Sequence, residues 1–152
     1  MATMVQARVR YEDDLFAWTQ EQAALLRAHA VDGIDWENLA EEIESMGRRD
    51  QRELKSRLTV ILLHLPKWQA QADQRGMSWR KTLRTQRREI RNLLQQSPSL
   101  RREVPDLMRE AYADAVKDAA DETGLRADAF PTTCAYAPDD VLDEDYMPTT
   151  DL

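Results

Sequence analysis

The chain has 152 residues and a formal net charge of −7, the length of one domain that buries about 70% of its extended surface on folding, without disulfide or metal staples. Its 4 glycines and 6 prolines leave few turns for a β-sandwich or barrel, and Gly33, Gly47, Gly76 and Gly124 stand too far apart for a GxGxxG or GxxxxGK(S/T) phosphate loop. The single cysteine, Cys134, excludes an internal disulfide and any CxxC zinc site; the longest apolar run, 58–65, is too short for a membrane span, and no signal-like stretch opens the chain, so a cytoplasmic protein is expected.

Over 11–30, Tyr11, Leu15, Trp18, Leu25 and Leu26 recur at three- and four-residue steps and predict a first amphipathic helix, with Gly33 shortly after its end. Asp35 is placed to cap a second helix with the apolar face Trp36, Leu39, Ala40, Ile43 and Met46. That face extends through Leu54, Leu58, Ile61, Leu62, Leu65 and Trp68, which leaves open whether Gly47 divides it, while Pro66 predicts a kink or break. Ser78 is the expected N-cap of a helix over 79–95, and Pro105 opens another that reaches about Glu122 and stops at Gly124. The four tryptophans Trp18, Trp36, Trp68 and Trp79 each fit an apolar face and are expected in the core. Three prolines and six acids in 130–152 predict a strap with one helical turn from Pro138, its Phe130, Tyr136, Leu142 and Tyr146 docked on the helices. The expected organisation is an all-α, single-domain bundle of four to five helices: an N-terminal tail over 1–10, a helical domain over 11–126 and an acidic C-terminal strap over 127–152 packed on it.

Several stretches, YEDDLFAWTQEQAALLRAH (11–29), DWENLAEEIESMGR (35–48), LLHLPKW (62–68), SWRKTLRTQRREI (78–90), AYADAVKDAADETGL (111–125) and FPTTCAY (130–136), resemble the bacterial family called domain of unknown function 29. The resemblance implies an almost entirely helical, single-domain intracellular protein, and brings no activity, cofactor or catalytic residue to carry over. Pro66 and Ala135 depart from the family pattern, which has leucine and proline there.

Charge is strongly segregated: residues 1–47 carry 3 basic and 10 acidic groups, 48–109 carry 16 and 6, and 110–152 carry 2 and 12. The most ordered basic feature is Arg80, Lys81, Arg84, Arg87, Arg88 and Arg91, which fall within about 120° of one another at 100° per residue and form one stripe, a candidate surface for an anionic partner. Neutralisation of this stripe by the protein's own acids is expected, and nucleic acid is not the expected partner of a chain with pI near 4.9. Glu37, Glu41, Glu42 and Glu44 spread around their helix, and neither His29 nor His64 has a carboxylate three or four residues before it, so no metal and no cofactor is expected. His29 near the end of the first helix reads as a terminal cation, and Cys134, with no base beside it, as an inert packed thiol. His64 interrupts an apolar run just before Pro66; it is expected to satisfy a backbone carbonyl, and with Glu42 it is the candidate polar site. The reading is a protein-interaction or scaffold module, with a homodimer among its possible states, and more a binding protein than an enzyme. Two alternatives stay open: nucleic-acid binding through the helix over 79–95, and an enzyme or metal protein around His64.

Overall fold

The computed structural model describes residues 8–149; positions 1–7 of the tail and 150–152 of the strap lie outside the described residues. Five α-helices are present, α1 Leu15–Arg27, α2 Trp36–Ala70, α3 Met77–Gln96, α4 Val104–Thr123 and α5 Pro138–Leu142, joined by short 3-10 turns, with no strand among the described residues. The chain divides into two compact units, Met1–Arg48 and Arg49–Leu152, with the boundary inside α2.

In the first unit Asp14 caps α1, its Oδ1 accepting from the Ala17 N–H at 2.9 Å. The reversal after α1 is made by His29, whose φ of 55° is the left-handed conformation usually given to glycine. The Ala30 N–H then closes the helix end by donating to the Leu25 carbonyl at 3.0 Å. Gly33 answers a different need, because a Cβ there would stand 2.9 Å from a methyl of Leu25. Asp35 caps α2 as its position predicts, its Oδ1 accepting from the Asn38 N–H at 3.3 Å.

Neither Gly47 nor Pro66 breaks α2, which runs 35 residues. Proline removes one hydrogen bond and crowds the preceding turn, a cost of about 3 kcal/mol in a helix interior. Here the ring is itself buried between fully buried Leu65 and the nearly buried Trp68, so packing of the flanking turns offsets that loss.

The core of the second unit is one cluster. Leu54, Leu58, Ile61, Leu62 and Leu65 of α2 meet Leu83, Ile90, Leu93 and Leu94 of α3, Val104, Met108, Ala111, Tyr112 and Ala115 of α4, and Val141 of α5. Burying each large aliphatic side chain contributes about 1.5–3 kcal/mol, which makes this cluster the main support of the unit. Side-chain bonds fix the helix directions. Lys55 pairs with Glu110 at 3.3 Å and Lys67 with Glu122 at 2.5 Å, so this part of α2 runs parallel to α4; Arg57 donates to Gln86 at 3.1 Å and His64 stacks edge-on against Trp79, so α3 runs antiparallel to it.

One helix start differs from expectation. Ser78 lies inside α3, whose N-cap is the extended Gly76 with no side-chain bond, and the segment Pro98–Glu103 forms a 3-10 helix leading into α4 without a side-chain cap. Gly124, with φ 72°, ends α4 as its sequence position predicts. The strap lies on this unit, with Phe130 and Val141 buried and Tyr136, Leu142 and Tyr146 packed against the core.

Candidate interaction surfaces

Three surfaces carry the residues that the sequence singles out. The first surrounds His64. Its Nδ1 lies 2.8 Å from the Val60 carbonyl, four residues earlier on α2, and its ring is 6.5 Å from Trp79. A carbonyl only accepts, so Nδ1 carries the proton, and burial with the nearby Lys67 ammonium holds the imidazole below its ordinary 6.5. The carbonyl served is Val60, not that of Leu62 which Pro66 frees. Lys67, almost buried, places its ammonium 4.9 Å from the Trp79 ring centre and pairs with Glu122. Glu42 has other surroundings: it belongs to the first unit and accepts from the Tyr11 hydroxyl at 2.5 Å, which pushes that phenol up. The two residues stand 22 positions apart in the sequence of α2 and belong to different units. Cys134 donates weakly to the Tyr136 carbonyl at 3.8 Å, and burial pushes its thiol up, away from the reactive thiolate. Among the described residues no group of three or more His, Cys, Asp or Glu side chains is placed to hold a metal ion.

The second surface is the basic stripe of α3, and its six members have different duties. Arg87 is buried; its Nε donates to the Val141 carbonyl at 2.9 Å and its Nη1 to the Tyr146 carbonyl at 2.8 Å. Burial lowers its pKa from the ordinary value while Asp143, Tyr146 and Asp145 pull it back. Arg91 pairs with Glu144 at 2.8 Å, and Arg80 stacks over Trp68 at 4.8 Å. Arg88 reaches its neighbour Glu89 at 3.4 Å. Lys81 and Arg84 have no ion-pair partner among the described residues; with Met77, Ser78, Arg80, Thr85 and Arg88 they line a shallow cleft of about 440 Å³. Acidic neutralisation of the stripe is therefore partial, and where it is strongest the partner is backbone carbonyl rather than carboxylate. A second cleft, of about 550 Å³, lies between α3 and the strap, but its guanidiniums are the ones already engaged by Glu144, Asp139 and carbonyls.

The third surface is the N-terminal half of α2, in the first unit. Here the expected core placement fails: Trp36 is 58% exposed, Ile43 62% and Met46 62%, whereas Trp18 and Trp68 are buried and Trp79 partly so. The reason is how α1 docks. Trp18 Nε1 donates to Asp35 Oδ2 at 3.1 Å, the Asp35 N–H donates to the buried Gln22 side chain at 2.8 Å, and Tyr11 bonds Glu42. Asp35 and Glu42 lie about 100–120° round the helix from Trp36, so polar bonds attach α1 beside the apolar stripe and leave it open. Periodicity marks this stripe as apolar but cannot tell a face turned to the core from one turned outward.

No helix is long and apolar enough to cross a membrane among the described residues. No curated protein and no solved structure matches the chain. The model of the family described as Domain of unknown function DUF29 matches residues 10–147, nearly the whole chain, and the chain belongs to that family.

Proposed function

We propose that the protein is an interaction module that docks a protein partner through the apolar face of α2 in its first unit. The observation that carries the reading is the row of Trp36, Ile43 and Met46, three large apolar side chains more than half exposed on one helical face. Tryptophan and methionine are the residue types that concentrate binding energy at protein interfaces, and a contiguous exposed apolar stripe costs solubility unless something covers it. The reading places the protein in the cytoplasm, in keeping with its one half-buried thiol, and names neither enzymatic chemistry nor a metal at His64. Nucleic acid is not part of it, because Arg87 and Arg91 of the basic stripe hold the strap and the net charge of −7 opposes a polyanion's approach.

The test is a photo-crosslinking amino acid at position 43, irradiated in cells that express the protein. Adducts of one or a few discrete masses are expected at 43 and not at the exposed control position Asp121 on α4. Equal, diffuse labelling at both positions overturns the reading.

A further inference from the structure

The cleft on α3 gathers cations that the protein's own acids leave unanswered. Elsewhere helical arginines find an acid one turn away: Arg57 pairs with Glu53 at 2.9 Å, Arg48 with Glu44 at 3.6 Å, and Arg109 with Asp106. On α3 the positions three and four residues from Lys81, Arg84 and Arg88 hold no acid, and those around Arg84 hold only Arg80, Lys81, Arg87 and Arg88. Like charges at these spacings destabilise a helix. In a chain with 28 acidic residues against 21 basic ones, nothing inside the described structure accounts for such a cluster.

At 100° and 1.5 Å per residue, Lys81, Arg84 and Arg88 lie within about 60° of arc and about 10 Å of axis, close enough for their heads to meet round one small group. Arg80 bounds the same cleft, its guanidinium 4.8 Å from the ring centre of the nearly buried Trp68, which fixes one wall. Ser78 and Thr85 add hydroxyls. Other helical threonines spend theirs on a carbonyl one turn back, Thr59 on Lys55 at 2.8 Å, Thr82 on Ser78 at 3.0 Å and Thr123 on Ala119 at 2.7 Å. Thr85 makes no such bond among the described residues, and neither does the Ser78 hydroxyl. No carboxylate lines this cleft of about 440 Å³. The strap's Glu144 and Asp145 stand on the flank towards Arg87, where with Arg80 and Arg84 they line a separate crevice of about 70 Å³.

From this arrangement we infer that the cleft binds a phosphate group, as a small phosphomonoester or diphosphate, through Lys81, Arg84, Arg88 and the Ser78 and Thr85 hydroxyls. A phosphate directs its oxygens several ways and carries close to two charges at neutral pH, so it accepts from guanidinium, ammonium and hydroxyl together; a carboxylate offers two oxygens in one plane. The space falls in the range of small-molecule sites. A nucleic acid finds only one or two phosphates' worth of cation along this length, too little against a net charge of −7. The site lies in the second unit and is independent of the reading of α2.

Calorimetric titration of the full chain with inorganic pyrophosphate at low salt tests it. One saturable site with a dissociation constant on the order of 0.1 mM, weakening as salt rises, is expected of so open a cleft. Lys81→Gln combined with Arg84→Gln should weaken binding at least about tenfold, with helicity by circular dichroism kept, because neither side chain holds an ion pair. Thr85→Val should weaken it about two- to fivefold. Arg109→Gln combined with Arg126→Gln removes the same charge elsewhere and should leave affinity within about twofold. Sedimentation with phosphatidylcholine vesicles, with and without phosphatidic acid, separates the two sources of the group. Pyrophosphate binding alone assigns a free phosphate compound, and vesicle binding that needs phosphatidic acid and Lys81 with Arg84 assigns a lipid headgroup. Binding of neither probe, indifference to the cleft variant, equal weakening by the Arg109 and Arg126 control, or tighter binding of an oligonucleotide than of pyrophosphate overturns the inference.

Discussion

At His64 the imidazole donates to a carbonyl one turn back on its own helix and keeps its face against Trp79, so the ring fills a gap in the wall of the core as a neutral group. Its depressed pKa has a stability consequence. Below about pH 6.5 the unfolded chain binds a proton that the folded chain takes only at lower pH, so the unfolded state gains protons first and stability falls as pH drops through that window. Above it the group contributes no slope. Urea midpoints for the natural protein and His64→Gln, compared at about pH 7.5 and about pH 5.5, should show the larger acid loss in the natural protein; equal losses would mean the imidazole is as well solvated folded as unfolded. The sequence shows that a histidine interrupts an apolar run, but not which carbonyl it serves, because that depends on χ angles set by Trp79 from another helix.

Among the elements, the strap depends on α3 for its backbone bonds. Among the described residues nothing regular pairs the carbonyls of Val141 and Tyr146 with other backbone, and the Arg87 guanidinium, presenting a planar set of donors, reaches both. Arg87→Met keeps the aliphatic stem but removes these donors, leaving carbonyls with no charged partner, and should destabilise by about 2–4 kcal/mol. Arg87→Lys should recover only part of this, since one ammonium does not match two fixed directions. Thermal unfolding measures both, and a loss below about 0.5 kcal/mol for the methionine variant would show that water replaces the guanidinium freely. The same helix shows the limit of stripe reading: all six cations of α3 share one arc, yet one is buried, one covers a tryptophan, two pair with acids and two face solvent. Only the strap's path distinguishes them.

Considered as a whole, the molecule has unevenly distributed core. The second unit holds the continuous cluster from Leu54 to Val141, whereas the buried residues among those described in the first are Trp18, Gln22 and Gly33. Local opening free energy follows buried apolar contact, so amide exchange should be fast in α1 and slow, near the global limit, in the centres of α3 and α4. Hydrogen exchange by mass spectrometry checks this. Protection in α1 equal to that in α4 would refute the uneven distribution.

Local signals in the chain determined the all-α class, the cap at Asp35, the stop at Gly124 and the turn from Pro138, because caps and amphipathic periods act within a few residues. Tertiary structure decided what lies beyond that range. It carries α2 unbroken past Gly47 and Pro66, because buried Leu62 and Leu65 before the proline and buried Trp68 after it outweigh one lost hydrogen bond. It also turns Trp36 and Ile43 outward while Leu58 and Ile61, on the same long helix and of the same character, turn inward. A periodic apolar face specifies that something covers it, and only the three-dimensional arrangement of the other elements decides whether the same chain provides the cover.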